Sequence, residues 1–321
     1  MRLLRILGRG LLAMALLLGV AWAAAIWQAN LDVAPVPLAE RQAHYQQAVA
    51  YIKANEPGIL MDGNSALWWM VQAAAEHTQD EYLLGLVREV LRRNYPSDDT
   101  ASPFKRMIDP TAKVASGDLL NLIDVNQLWD YQRFYLHGTT CKPQPMAQGD
   151  TRRFLRENIC HPFWREVWPR DPVCSTHHAI GISLIKRVGC PVLPETPQLA
   201  KDLLDDIAFQ TRYDIVMRDA YIQHVLVLMW LGQPDMVKPV WLRRVLDAQQ
   251  ADGAWRGEKR YPFLPDTLQP GGAQRLLQTW WPARFPTHPA PIELHATAQG
   301  LLVAALSLPP HPKPQIGLAA N

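Results

Sequence analysis

Three short stretches place proton-handling side chains at matching positions. "STHHAIG" brings Thr176, His177 and His178 together, "RDAYIQH" brings Asp219, Tyr221 and His224, and "IELHATAQG" brings Glu293 and His295. Each stretch opens a largely apolar run, so its polar groups fall in the first turn of a helix. An imidazole that titrates near neutrality beside a carboxylate is the minimum for general acid–base work or for a metal site. Helix N-termini add a positive dipole that favours anions. Asp and Glu also cap helices, which gives Asp219 and Glu293 a structural use. Histidine caps poorly, so His178 and His295 stand out. We therefore expect His178, Asp219, Glu293 and His295 to supply acid–base groups, with His177, Tyr221, His224 and Trp230 touching a ligand. Trp68, Trp69 and Trp129 are further wall candidates, with core packing as their alternative use.

These groups can meet only if their helices stand side by side. The chain is rich in helical periodicity and poor in strand alternation. "LAERQAHYQQAVAYIKAN", "DEYLLGLVREVLRRN" and "VKPVWLRRVLDAQ" each carry one apolar stripe, as helices between a core and water do. "THHAIGISLIKRVG", "AYIQHVLVLMWLG" and "LHATAQGLLVAAL" are apolar nearly all round, as fully enclosed helices are. His178-Ala179 stands five residues before Leu184, and His295-Ala296 stands five before Leu301, with Tyr221 at the equivalent place between them. "NSALWWMVQAAAEH" and "LLNLIDVNQLWDYQRFYLHG" are two more degenerate copies. Inner helices are thus expected to start near Ser65, Leu119, Ser175, Asp219 and Glu293. Enclosed helices wrapped by amphipathic ones describe an all-α, α/α toroid, incomplete or nearly closed. An open helical array and an ordinary bundle are the alternatives.

Between two such helices lies "LDAQQADGAW", in which Gln249-x-x-x-Gly253-x-Trp255 resembles the repeat signature of the terpene cyclases and related prenyltransferase-type toroids. The resemblance covers about residues 174–308. It implies that Gln249 caps an outer helix and packs on Trp255, locking the turn toward the next inner helix. It implies nothing secure about activity, because one fold hosts many functions. The acidic Asp-x-Asp-Asp cluster of those cyclases is missing. Asp205-Asp206 sits on an amphipathic helix and reads as a solvated face, while "SDDT", with Asp98 and Asp99, lacks the third aspartate of a diphosphate–metal motif. The Asp, Cys and His zinc set of the protein-prenylating relatives has no counterpart, and those relatives are cytosolic and two-chained.

The cysteines are Cys141, Cys160, Cys174 and Cys190. An even number in an exported chain points to disulfides. Cys174 and Cys190 flank a helix of roughly 22 Å, far beyond disulfide reach. In a toroid of parallel inner helices, Cys160 and Cys174 share the starting rim, and Cys141 and Cys190 share the ending rim. The expected bonds are Cys160–Cys174 and Cys141–Cys190. A rival zinc site on Cys160, His161, Cys174, His177 and His178 needs thirteen residues between its two cysteines, which is not a compact zinc spacing. No metal and no cofactor is assigned.

The chain has 321 residues and a formal net charge of +2, too near neutral for a nucleic-acid footprint. Charged residues make up 19% against 48% hydrophobic, with 12 tryptophans, a balance suited to a large apolar interior or cavity. Arg2, Arg5 and Arg9 precede an uncharged run from Gly10 to Trp27, long enough to span a membrane with tryptophans at its far interface. The alternative is a signal peptide cleaved after Ala21-Trp22-Ala23. Both place the arginines in the cytoplasm and the body outside it, on the periplasmic side. The expected organisation is an anchor or signal over 1–30, one domain over 31–308 and a loose tail over 309–321. Three functions share the cavity: an enzyme or binder for an isoprenoid or lipid-like ligand, an envelope carbohydrate lyase or hydrolase, and a non-catalytic scaffold at the membrane.

Overall fold

The computed structural model describes residues 2–95, 103–113, 124–147, 149–160, 173–232, 234–259, 261, 268–269, 280 and 292–310. The fold is mostly helical: α1 (Arg2–Ala29), α2 (Leu38–Ala54), α3 (Ser65–Thr78), α4 (Glu81–Asn94), α5 (Asp130–Thr140), α6 (Cys174–Val188), α7 (Thr196–Tyr213), α8 (Asp219–Leu231), α9 (Pro239–Asp247) and α10 (His295–Leu306). Single helical turns at Glu56–Ile59, Lys105–Ile108 and Thr151–Phe154 and a two-residue antiparallel pair, Pro145–Met146 with Gly149–Asp150, lie between them.

Within α1, Gly8–Ala29 is long and apolar enough to cross a membrane, with a mean hydropathy of 2.1. Pro35 and Pro37 hold the next segment out of a helix until α2 begins at Leu38. The expected second inner helix begins later than the sequence pattern implies. α5 starts at Asp130 after a short 3-10 turn at Val125–Gln127, whereas Leu119 and its neighbours lie outside the described residues. Asp98, Asp99, His161 and the tail from residue 311 lie outside them too.

The enclosed helices pack in the order α5, α6, α8, α10, α3, which is chain order with the first helix set beside the last. The amphipathic helices lie outside them: α7 against α6 and α8, α9 against α8 and α10, α2 against α10, and α4 against α3. Every residue of α10 from Ala296 to Ala305 is buried, while α4 buries only the stripe Leu83, Leu86, Val87 and Val90. Glycines let the inner helices approach. A Cβ on Gly181 would stand 2.3 Å from the Phe134 ring, and one on Gly138 would crowd Leu184 and Ile185. These pairings run 134 to 181 and 138 to 185, so α5 and α6 are parallel. His77 bonds to the Leu308 carbonyl at the far ends of α3 and α10, and His295 meets Asp219 at the near ends of α10 and α8. The enclosed helices thus start on one side of the molecule.

The Gln249–Trp255 stretch ties three layers. Gln249 Nε2 donates to Gly253 O at 2.9 Å and to His44 O at 3.0 Å, and its Oε1 meets His44 Nδ1 at 2.6 Å. Gly253 has φ +94°, and a Cβ there would stand 2.2 Å from Gln47 O. Trp255 is fully buried, donates to Val245 O at 2.7 Å, and lies flush against Gly300. Gln249 therefore clasps the turn and α2 rather than capping α9. Both expected disulfides are present, Cys141–Cys190 with Cα atoms 5.1 Å apart and Cys160–Cys174 with 5.8 Å.

Two stability outcomes follow from this packing. Gly253→Ala meets both a left-handed backbone and a backbone oxygen, so it should cost about 1–3 kcal/mol. Gly85→Ala on outer α4 meets only ordinary contacts and should stabilise by about 0.4–1 kcal/mol. Paired thermal melts check this, and equal shifts would contradict the packing. Removing the bonds that close 49-residue and 14-residue separations should cost at most about 4 and about 3 kcal/mol respectively on chain-entropy grounds. Chemical denaturation of Cys141→Ser/Cys190→Ser and Cys160→Ser/Cys174→Ser reads these values.

Candidate functional site

A cavity of about 470 Å³ opens where the enclosed helices start. Every one of the five contributes: Ser65 and Trp69 from α3, Tyr131 and Tyr135 from α5, His177 from α6, Gln223 from α8, and His295 and Gln299 from α10. Asp219 sits at the same rim, with Oδ2 3.6 Å from His295 Nε2. Two pairs repeat one geometry. Asp219 and Gln223 on α8, and His295 and Gln299 on α10, stand four residues apart and so share a helix face. The upper group of each pair is at the rim and the carboxamide lies one turn inside.

The electrostatics differ along this wall. Burial raises the Asp219 carboxyl above its ordinary range; the nearby imidazole of His295 and amide of Gln299 pull it down, and Glu293 pushes it up. Asp219 Oδ1 finds no hydrogen-bond partner in the protein. Gln299 is fully buried, and neither its nitrogen nor its oxygen completes a hydrogen bond of ordinary geometry. Burial holds the His177 imidazole down at about 4, against a weaker upward pull from its bond to Val173 O, with His295 adding a small downward push. Its ring lies 4.2 Å from that of Tyr131. His177 is thus a neutral, stacked group at neutral pH.

Several expected site residues stand elsewhere. His178 does not face this cavity. It is buried toward the other side of α6, bonded through Nε2 to Phe154 O at 2.5 Å and packed edge-on to Phe134. Neighbouring helical positions are turned by about 100° from one another, so His177 and not His178 shares the face of His295. Tyr221 is fully buried under the Arg244 guanidinium, 4.1 Å above its ring, and faces outer α9. His224 is buried beyond the cavity wall. Trp230 meets Trp69 edge-on at 5.5 Å, and Trp69 alone of the two reaches the cavity. Trp68 is buried with its indole bonded to Asp62 O, and Trp129 is exposed. Glu293 Oε1 accepts from Ala296 N, a cap on α10. Asp205 is exposed, whereas Asp206 is half-buried and bonded to Asn158.

Sequence reasoning passed over Gln223, Gln299, Tyr131 and Tyr135. The signal for the glutamines was present: each is a lone carboxamide in a helix otherwise enclosed by apolar residues, four positions after a rim group. Among the described residues no cluster of three His, Cys, Asp or Glu could hold a metal ion, and Cys160 and Cys174 are joined to each other. Comparison of the chain with models of known families, with curated proteins and with solved structures finds no match.

His177 and His178 set an acid limit on stability. Both are held near 4 by burial, while in the unfolded chain each titrates near 6.5. Above that unfolded value neither state is protonated and the fold loses nothing. As pH falls from about 6.5 to about 4, the unfolded chain takes up protons that the fold refuses, so stability drops and then levels. The raised Asp219 works in the opposite direction and softens the drop. Urea midpoints should fall from about pH 7 to about pH 4, and His178→Leu should flatten part of that slope. A midpoint that rises over this range would contradict the assignment.

Proposed function

We propose that this chain is a membrane-tethered, extracytoplasmic α/α toroid whose central cavity binds a hydroxyl-rich ligand, a saccharide unit, and acts on it by proton transfer. The order of the enclosed helices, their common direction and the clasp at Gln249–Trp255 support the toroid. The apolar α1 and the two disulfides support a body in an oxidising compartment outside the cytoplasm.

The observation that carries the ligand class is the fully buried Gln299 side chain on the cavity wall, which interacts with the Asp219 carboxylate but completes no hydrogen bond of ordinary geometry. An unmet buried polar group costs about 1–3 kcal/mol. A hydroxyl group both donates and accepts, and so suits Gln299 and the Oδ1 of Asp219 together. A hydrocarbon tail would leave both unmet, which weighs against an isoprenoid in this cavity. Trp69, Tyr131 and Tyr135 supply aromatic rings to the cavity wall, against which the C–H side of a sugar ring can pack. Among the described residues no Lys or Arg lines the cavity. The starts of α3 and α10 are already capped by Asn64 and Glu293. These features favour an uncharged ligand unit.

For chemistry, Asp219 and His295 form the working pair. The carboxylate lies 3.6 Å from the imidazole and faces it, and the partly exposed imidazole moves a proton to or from a ligand hydroxyl. Hydrolysis by two opposed carboxylates is less well supported, because Glu293 is engaged as a cap. A purely scaffolding role would have the cavity filled by apolar side chains, and it is not.

Calorimetry of the full chain in a detergent without sugar groups, titrated with neutral mono- and disaccharides, tests this reading. Gln299→Leu should weaken binding by about tenfold or more, while Gln198→Leu on outer α7 leaves it unchanged. His295→Ala and Asp219→Asn should retain binding and lower turnover by about 10²–10⁴. Equal affinity in Gln299→Leu, or tighter binding of a farnesyl chain than of any saccharide, would overturn it.

A further inference from the structure

We infer that the cavity mouth lies against the bilayer that α1 enters, so that the ligand is the sugar headgroup of a membrane lipid whose acyl part stays in the membrane. This rests on the saccharide reading above, and two independent observations carry it.

The first is the place and direction of α1. Its foot is clamped on the body: Asn30 Nδ2 donates to Arg212 O at 2.7 Å, and Trp241 Nε1 donates to Asn30 Oδ1 at 3.2 Å. Arg212 is in the last turn of α7, and two residues earlier Gln210 bonds to Ser175 in the first turn of α6. Lys238 Nζ and Trp241, at the start of α9, also bond Asn30, so the foot of α1 lies on the flank of the body between the start of α9 and the end of α7. Followed back from Asn30, Ala29, Gln28 and Ala25 share a crevice with α9 from Val240 to Asp247 and with Ile215 after α7, and α7 and α9 both end toward the rim where the enclosed helices start. Residues 8–24 are then exposed throughout, clear of the body. Trp27 is exposed one turn from the foot, where a membrane interface favours an indole.

The second is a collar of exposed apolar side chains around the mouth. Met61 is 81% exposed just before α3, Trp129 is 71% exposed at the start of α5, and Ile292 is 49% exposed just before α10. Three separate helices thus each carry a large apolar residue at the rim, where water gains nothing from them. Inserted at the headgroup boundary, the three would lose that contact with water. Each stands at or just before the start of an enclosed helix, on the side where the cavity opens past His295 and Asp219 toward Gln299. A neutral headgroup entering from the membrane plane meets the acid–base pair first and the carboxamides one turn deeper.

The test uses the full chain in nanodiscs of phosphatidylethanolamine with or without monoglucosyl-diacylglycerol. A benzoylphenylalanine photo-crosslinker replaces Met61, Trp129 or Ile292 in turn, with Leu38 and Val192 as control positions away from this mouth. Lipid adducts should form several-fold more at the three collar positions. Native mass spectrometry should find the glucosyl lipid retained by the parent chain and lost from Gln299→Leu. Equal adducts at collar and control positions would overturn the bilayer-facing mouth, even where soluble sugars bind. Collar adducts with free glucosylglycerol bound as tightly as the lipid would overturn the lipid source and leave the saccharide reading standing. Retention of the lipid by Gln299→Leu would overturn the saccharide reading itself.

Discussion

The cavity depends on where α10 stands, and α10 stands where the Trp255 indole lets it. Gly300 presents no side chain to that indole, so the helix backbone packs flush on the ring. The indole nitrogen is fixed to Val245 O, and Thr297 bonds to the Trp255 backbone through both its donor and acceptor functions. The wedge is buried completely and so cannot shift without opening the core. It sets the height of α10 relative to α8 and α9. From that height His295 reaches the rim and Gln299 reaches the interior.

Parallel helices then do the rest. Repeating a rim group and a carboxamide four residues later on two neighbouring helices stacks two layers of polar chemistry inside an apolar ring. The outer layer, Asp219 with His295, keeps contact with water and can exchange protons. The inner layer, Gln223 with Gln299, is enclosed. Gln299 completes no hydrogen bond of ordinary geometry there, a cost that the fold carries. Among the described residues no Lys or Arg lines the cavity, whose wall is made of carboxamides, imidazoles and aromatic rings.

Much of the architecture was legible because it depends on one-dimensional patterns. Helices apolar all round and helices with one stripe have different neighbours, and that difference placed α6, α8 and α10 inside and α4 and α9 outside. Helix length alone excluded Cys174–Cys190, and a common helix direction selected the two bonds that are present. The site was legible only in part. Aligning His178 with His295 puts on one face two histidines that the structure separates, His177 being the one beside His295, because one residue of register turns a side chain by about 100° and a weak repeat does not fix register that finely. Tyr221 was drawn to the site by the same alignment, yet its contact with Arg244 is a long-range one that no local pattern encodes. The expected start near Leu119 lies outside the described residues, and Val125 and Leu128 continue the apolar pattern up to Asp130 while standing in and after a 3-10 turn. Gln223 and Gln299 were passed over since glutamine is an ordinary helix residue until burial makes it costly.

The seating of Trp255 against Gly300 is open to direct observation by NMR of the full chain with selectively labelled glycine and tryptophan. The fold described here predicts a Gly300 Hα resonance displaced upfield by the indole ring current, with strong cross-relaxation to the indole protons. A Gly300 Hα at its ordinary helical position with no such cross-relaxation would contradict the wedge. The placement of His295, Asp219 and Gln299 around a single cavity would fall with it.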